Sequence, residues 1–244
     1  MIRQQTLAAL LAAMLGAVVN VALADDVCSA AEYQTSNAKM ARAKAAESQG
    51  NMEEALRLAK GTDLCVNDED GLRSLIISAS YKLGQAAEAG DNLEAAFGYY
   101  QGGMQAEQYE DPKPVDLLAN AKRVMLEMVA KSPSDRQTAR AALEFMNREN
   151  QSADVAYIVK HMDTQAQRLL AEEDKAFSVT SPHKELLEEA EAWLQEQRLT
   201  GVPESTEPTA ARLTARFVAR GDTFAALDTY SALENAISYY QQAE

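Results

Sequence analysis

The sequence predicts an all-α fold built from stacked antiparallel helix pairs, and three observations lead there. Ala, Glu, Leu, Gln, Lys and Arg are dense throughout, while 11 glycines and 6 prolines fall as punctuation. Apolar residues recur every three or four positions with charged residues opposite them, the period of an amphipathic helix. The alternating β-branched runs that mark strands are scarce. Short loops between such helices place sequence neighbours antiparallel and in contact.

The punctuation delimits the elements. A first helix is expected over residues 30–48, closed by Gln49-Gly50, and a second over 52–60, ending near Gly61. The third follows "NDEDG" over 72–89 and stops at Gly90. The fourth covers 93–106, with Gly102-Gly103 expected to loosen it or end it early. "EDPKP" at 110–114 reads as a loop, and Pro114 suits the opening turn of a helix over 115–130. Ser134 with Gln137 gives a capping-box signature for 135–147. A longer helix is expected over 153–175, and Ser181-Pro182 opens another over 182–198. "TGVPESTEP" at 200–208 is the clearest linker, and helices over 209–219 and 223–243 finish the chain, divided at "RGD". These breaks imply an N-terminal helical-repeat region (25–112), a central helical region (113–200) and a C-terminal helical hairpin (201–244).

Residues 1–24 belong to a different category. Arg3, an apolar run from Leu7 to Leu23, and the small residues Ala22 and Ala24 form the three-part pattern of a secretory signal cleaved after Ala24. No other segment approaches membrane-spanning length, so the mature chain is expected in the periplasm or outside the cell, without stable membrane insertion. In that oxidising setting the two cysteines, Cys28 and Cys65, are expected to pair. Closing a loop of that length gives on the order of 4 kcal/mol of chain-entropy stabilisation. The formal charge of −14 repels phosphate backbones and anionic lipids, which argues against nucleic acid and favours a basic partner if the surface recognises anything.

"GNMEEA" at 50–55 and "GDNLEA" at 90–95 carry a glycine, a helix start and Glu-Ala, with the glycines forty positions apart. At that offset Ala43 and Ala46 match Leu83 and Ala86, and Leu56 and Ala59 match Ala96 and Tyr99. This points to a repeated helical hairpin. "GNMEEALRLA", "GDNLEAAFGYY" and "LENAISYYQQA" at 233–243 resemble the turn and second helix of tetratricopeptide repeats, and "YKLGQAAEAGD" is similar to the preceding first helix. Leu83-Gly84 falls one residue nearer the turn than the family pattern, the period is longer than the family's, and residues 115–200 match poorly. The resemblance covers about a third of the mature chain and implies a superhelical stack with a concave face that holds a protein or peptide.

Catalytic signatures are missing. Only two histidines occur, His161 and His183, and no His-Glu-x-x-His or Gly-x-Ser-x-Gly is present. No cofactor or metal site is therefore expected, and the histidines read as surface residues. Adjacent carboxylates such as Glu53-Glu54, Glu172-Glu173 and Glu188-Glu189 diverge on a helix and read as solvated faces. "NDEDG" lacks the alternating ligands of a calcium loop. The aromatics carry more: Tyr81, Tyr99 and Tyr100, and Tyr239 with Tyr240, are candidate partner-contact residues if they face outward. Phe224, Leu227, Tyr230, Leu233, Ile237 and Tyr240 line up as one stripe near the C-terminus, where an end repeat invites association with a second copy. The reading expected is an exported, non-catalytic helical-repeat scaffold for envelope assembly or regulation. A cell-wall-acting enzyme and a protein that self-assembles through its terminal helices stand beside it.

Overall fold

Ser29 sets the first turn of structure. Its Oγ accepts the Glu32 N–H at 3.2 Å while Glu32 Oε2 accepts the Ser29 N–H at 2.6 Å, a reciprocal capping box. Residues 28–62, 64–109, 113–199 and 207–243 are described by this computed structural model. The expected signal segment at 1–24, part of the 110–114 loop and most of the 200–208 linker lie outside them.

The described residues form ten α-helices and no strand. They are α1 (Ala30–Ser48), α2 (Met52–Lys60), α3 (Glu69–Ala89), α4 (Leu93–Glu107), α5 (Leu117–Lys131), α6 (Arg136–Arg148), α7 (Ser152–Ala176), α8 (Lys184–Leu199), α9 (Glu207–Ala225) and α10 (Tyr230–Ala243). Each packs against the next, and α1 also touches α3, α6 touches α8, and α7 touches α9. The all-α stack of antiparallel pairs expected from the periodicity is what forms.

Four of the turns are one motif. A residue with positive φ follows the helix end in each: Gly50 (78°), Asp91 (56°), Asn150 (55°) and Asp228 (46°). Its N–H bonds back three residues, to Glu47, Glu88, Asn147 and Ala225. Gly, Asn and Asp are the residues that tolerate this left-handed conformation. The following residue caps the next helix. Asn51, Asn92 and Thr229 accept from the N–H of Glu54, Ala95 and Ala232, whereas Gln151 makes no such side-chain bond.

This geometry corrects the repeat register. Gly50 corresponds to Asp91, not Gly90, and the first two units are therefore offset by 41 residues. Asn51 then matches Asn92, Met52 matches Leu93, Glu53 matches Glu94, and Ala55 matches Ala96, both fully buried. Upstream, buried Ala43 matches buried Gly84. Ala59 matches Tyr100, and the larger ring is accommodated because a Cβ on Gly84 would lie 2.3 Å from Tyr100 Cε1. The sequence alignment misregistered by one because glycine looked like the conserved element, when the shared requirement is a positive φ.

Other boundaries moved for equally local reasons. α4 runs unbroken through Gly102-Gly103 to Glu107. A Cβ on Gly103 would meet Leu117 at 2.7 Å and Ser80 at 2.8 Å, so this glycine serves close helix approach, and packing overrides its weak propensity. Asp116, rather than Pro114, caps α5. Asp135 caps α6, accepting from Gln137 and Thr138, in place of the Ser134 box. "RGD" lies inside α9, where a Cβ on Gly221 would press on the Tyr240 ring at 2.5 Å; the break falls instead at Asp228-Thr229.

Two apolar clusters hold the stack. One joins α1, α2 and the start of α3 through Met40, Ala43, Ala55, Leu58, Leu72 and Leu75. The other begins at Ile77 and continues to Tyr239, crossing the sequence breaks near 112 and 200 without interruption. The Cys28–Cys65 disulfide forms as expected, with Cα atoms 5.8 Å apart, and fastens the start of α1 to the segment after α2. At the other end α7 and α9 are joined by Glu173, which is fully buried and accepts two bonds from Arg220 at 2.8 and 2.9 Å. The Arg220 guanidinium also lies 3.7 Å from the Phe177 ring centre. Glu173 is thus a structural carboxylate, not the solvated one its neighbour Glu172 remains.

Candidate functional site

The five candidate tyrosines do not share a face. Tyr100 is fully buried. Its hydroxyl donates to Glu88, which the Arg123 guanidinium grips with two bonds at 2.7 and 2.8 Å. Arg123 holds the Glu88 carboxyl below its usual pKa, and burial, with the Glu88 bond second, raises that of the Tyr100 hydroxyl. Tyr239 is equally enclosed, stacked on Phe224 at 5.7 Å beneath the Lys184 ammonium, and burial pushes its hydroxyl to about 12. Both belong to the core and are withdrawn as partner contacts. Tyr81 and Tyr99 are half-buried on α3 and α4. Tyr240 is half-buried at the far end, its hydroxyl donating to Asp222 at 2.7 Å.

Between α1 and α3, the first helices of the two matched hairpins, lies an open cleft of ≈ 430 Å³ lined by Lys44, Glu47, Gly71, Ser74, Leu75 and Ser78. Its walls are polar and tied across the gap. Ser78 Oγ donates to Glu47 at 3.1 Å, and Lys44 pairs with Asp68 at 2.7 Å. Lys44 holds the Asp68 carboxyl below its usual pKa, and the Gly71 N–H adds to the effect. "NDEDG" is therefore a helix cap rather than a metal loop, since Asp68 Oδ1 accepts the Gly71 N–H at 2.9 Å. A second cavity, ≈ 340 Å³, sits at the α6–α7 turn around Asn150 and Val155. Among the described residues no group of three or more His, Cys, Asp or Glu could hold a metal, and no described helix is long and apolar enough to cross a membrane.

Sequence reasoning missed one arrangement. Ser181 Oγ lies 3.0 Å from His183 Nε2, and His183 Nδ1 lies 3.1 Å from Glu185 Oε1. With the proton on Nδ1, His183 donates to Glu185 and accepts from Ser181, the connectivity of an acyl-transfer triad. α8 begins at Lys184 rather than at Pro182, and His183 has φ +47°. The sequence was read as helical from residue 182, which hid the alternate-residue spacing Ser181, His183, Glu185. All three side chains stand at the surface, Glu185 being 70% exposed, and neither cavity includes them. His161, read as a surface residue, is half-buried with Nε2 at 3.0 Å from the Pro133 carbonyl and its ring edge on Trp193.

Four exposed large apolar side chains lie at the C-terminal end. Tyr230 is 80% exposed, Ile237 56%, Leu227 48% and Leu233 42%. The stripe read from the sequence is therefore split: Phe224 is buried, while α10 turns Ala232, Ala236 and Tyr239 inward.

Comparison with known protein families, with characterised proteins and with solved structures finds no match to this chain.

Proposed function

We propose that the chain is an exported, non-catalytic helical-repeat scaffold of the tetratricopeptide type. It binds another protein or peptide along the face formed by the first helices of its hairpins. One observation carries this reading: two equivalent hairpins stand side by side and leave an open polar cleft between α1 and α3. An extended peptide could exchange the Ser78–Glu47 and Lys44–Asp68 contacts for its own backbone and side chains at small cost, since surface pairs of this kind contribute little. The charge of −14 favours a basic partner. The paired cysteines and the N-terminal pattern support a periplasmic or secreted location.

The test is photocrosslinking in intact envelope with a photoreactive residue at exposed Ser74, and with a second at Tyr99 on α4, which is not among the residues lining the cleft. One recurrent partner captured from Ser74 and not from Tyr99 is the expected result. Equal labelling from both, or none, would sink the cleft reading.

A second reading has its own observation in Ser181, His183 and Glu185. An exposed triad of this kind would act on activated esters, with Ser181 attacking, His183 taking its proton and Glu185 orienting the ring. Hydrolysis of p-nitrophenyl acetate that is lost in Ser181→Ala would support it; equal rates for the two proteins would remove it.

A further inference from the structure

We infer that the Cys28–Cys65 disulfide is a redox latch on the cleft between α1 and α3: a dithiol that reduces it loosens the wall formed around Lys44 and Gly71. The consequence for a bound partner rests on the cleft reading, whereas the loosening itself does not.

The segment between α2 and α3 is held to the first helix by ties of unequal strength. Lys39 Nζ donates to the Gly61 carbonyl at 2.8 Å, Asn37 Oδ1 accepts the Asn67 N–H at 3.1 Å, and Lys44 pairs with Asp68 at 2.7 Å. All three are exposed polar contacts, and water competes for the same groups, so each contributes little. Val66 adds one buried apolar side chain. The remaining tie, Cys65 to Cys28, is covalent and is the strongest fastener of this segment.

The held segment runs directly into the cleft. Three positions after Cys65, Asp68 accepts the Gly71 N–H through Oδ1 and the Lys44 ammonium through Oδ2. Lys44 and Gly71 both line the cleft. One carboxylate thus links α1 to the first turn of α3, and its position depends on the chain that the disulfide pins. Asp116 caps α5 in the same manner, accepting the Ala119 N–H at 2.8 Å, but no cysteine lies near it in the chain. Both cysteines are half-buried, with exposed Ser29 and Leu64 beside them, which leaves part of the bond open to an incoming thiol.

The reducing step is thiol–disulfide exchange with a protein dithiol. A thiolate of the donor attacks one cysteine sulfur, the bond between Cys28 and Cys65 breaks, and the departing sulfur takes up a proton. The donor's second thiol then resolves the mixed disulfide. Two electrons and two protons pass to the cysteines, and the donor leaves oxidised. In an oxidising compartment the latch stays closed until such a donor reaches it.

Amide hydrogen exchange on the full chain, with and without dithiothreitol, tests the latch. Exchange at Asn67 and Gly71 is expected to rise by at least about tenfold on reduction, with Ala95 and Ala119 unchanged. No rise at Asn67 and Gly71 overturns the inference. So does an equal rise at Ala95 and Ala119, which would make the bond a general staple. A photoreactive residue at Ser74, placed in the wild type and in Cys28→Ser/Cys65→Ser of matching helical circular dichroism, tests the consequence in intact envelope. Capture of the partner should fall several-fold in the double variant; equal capture from both proteins refutes control of the cleft. Capture from neither removes the cleft reading alone, and a local rise in exchange still supports the latch.

Discussion

Replacing Gly84 by Ala tests the 41-residue register, because its effect should change sign with the residue opposite. The new Cβ would stand 2.3, 2.6 and 2.7 Å from three carbons of the Tyr100 ring. That ring cannot move aside freely: it is fully buried, and its hydroxyl is held by the Glu88–Arg123 pair. Overpacking of this kind costs about 1–3 kcal/mol, and alanine recovers about 1 kcal/mol of helix propensity. The net expectation is a destabilisation of up to about 2 kcal/mol. In the first hairpin the matched pair is Ala43 with Ala59, which fits with no glycine. Tyr100→Ala alone should cost roughly 3–5 kcal/mol through the cavity it leaves. In that background Gly84→Ala meets no ring and should stabilise by up to about 1 kcal/mol. Urea denaturation of the four proteins gives the coupling directly. A Gly84→Ala change that stabilises the wild type, or costs the same in both backgrounds, would refute the packing argument and the register with it.

Reducing the Cys28–Cys65 bond, which spans 37 residues, should cost at most about 4 kcal/mol, and thermal melts with and without reductant measure it. Glu88, whose folded pKa lies below its ordinary 4.5, contributes stability that is present above that value. The contribution is lost as pH falls through the lowered one. Glu88→Gln should therefore flatten the acid limb of stability below pH 4.5, and an unchanged limb would show that Arg123 does not favour its charge. Glu107 is 1% exposed and accepts the Leu117 N–H at 2.9 Å. Glu107→Ala strands that buried donor and should cost about 1–3 kcal/mol by chemical denaturation.

Legibility from sequence followed the range of the forces involved. Eight of the ten helices were placed within a few residues because amphipathic period and its punctuation are local properties of the chain. The exception was the last pair, where "RGD" looked like a stop. Gly221 is instead a close-approach residue whose purpose depends on Tyr240, nineteen positions further along the chain. The same limit applied to Glu173, whose partner Arg220 lies 47 residues further on. The tyrosines illustrate it most directly. Tyr99 and Tyr100 are neighbours in sequence, yet only the three-dimensional packing of Gly84 decides which of them is interior. The Ser181–His183–Glu185 contact was hidden by a misjudged helix start of two residues.

The two ends of the stack are secured by different means. At the first hairpin a covalent bond closes the chain on itself, and losing it requires a reductant. At the last, α10 rests on α9, which is anchored to α7 by Arg220 on Glu173 and Phe177. Nearly all contacts run between successive helices, so opening can proceed one element at a time without disrupting the remainder. Unzipping should therefore begin at Ala243 and travel towards α7. Amide hydrogen exchange would follow that gradient, fastest in α10 and slowest where the long apolar cluster is continuous, around Leu143 and Met162.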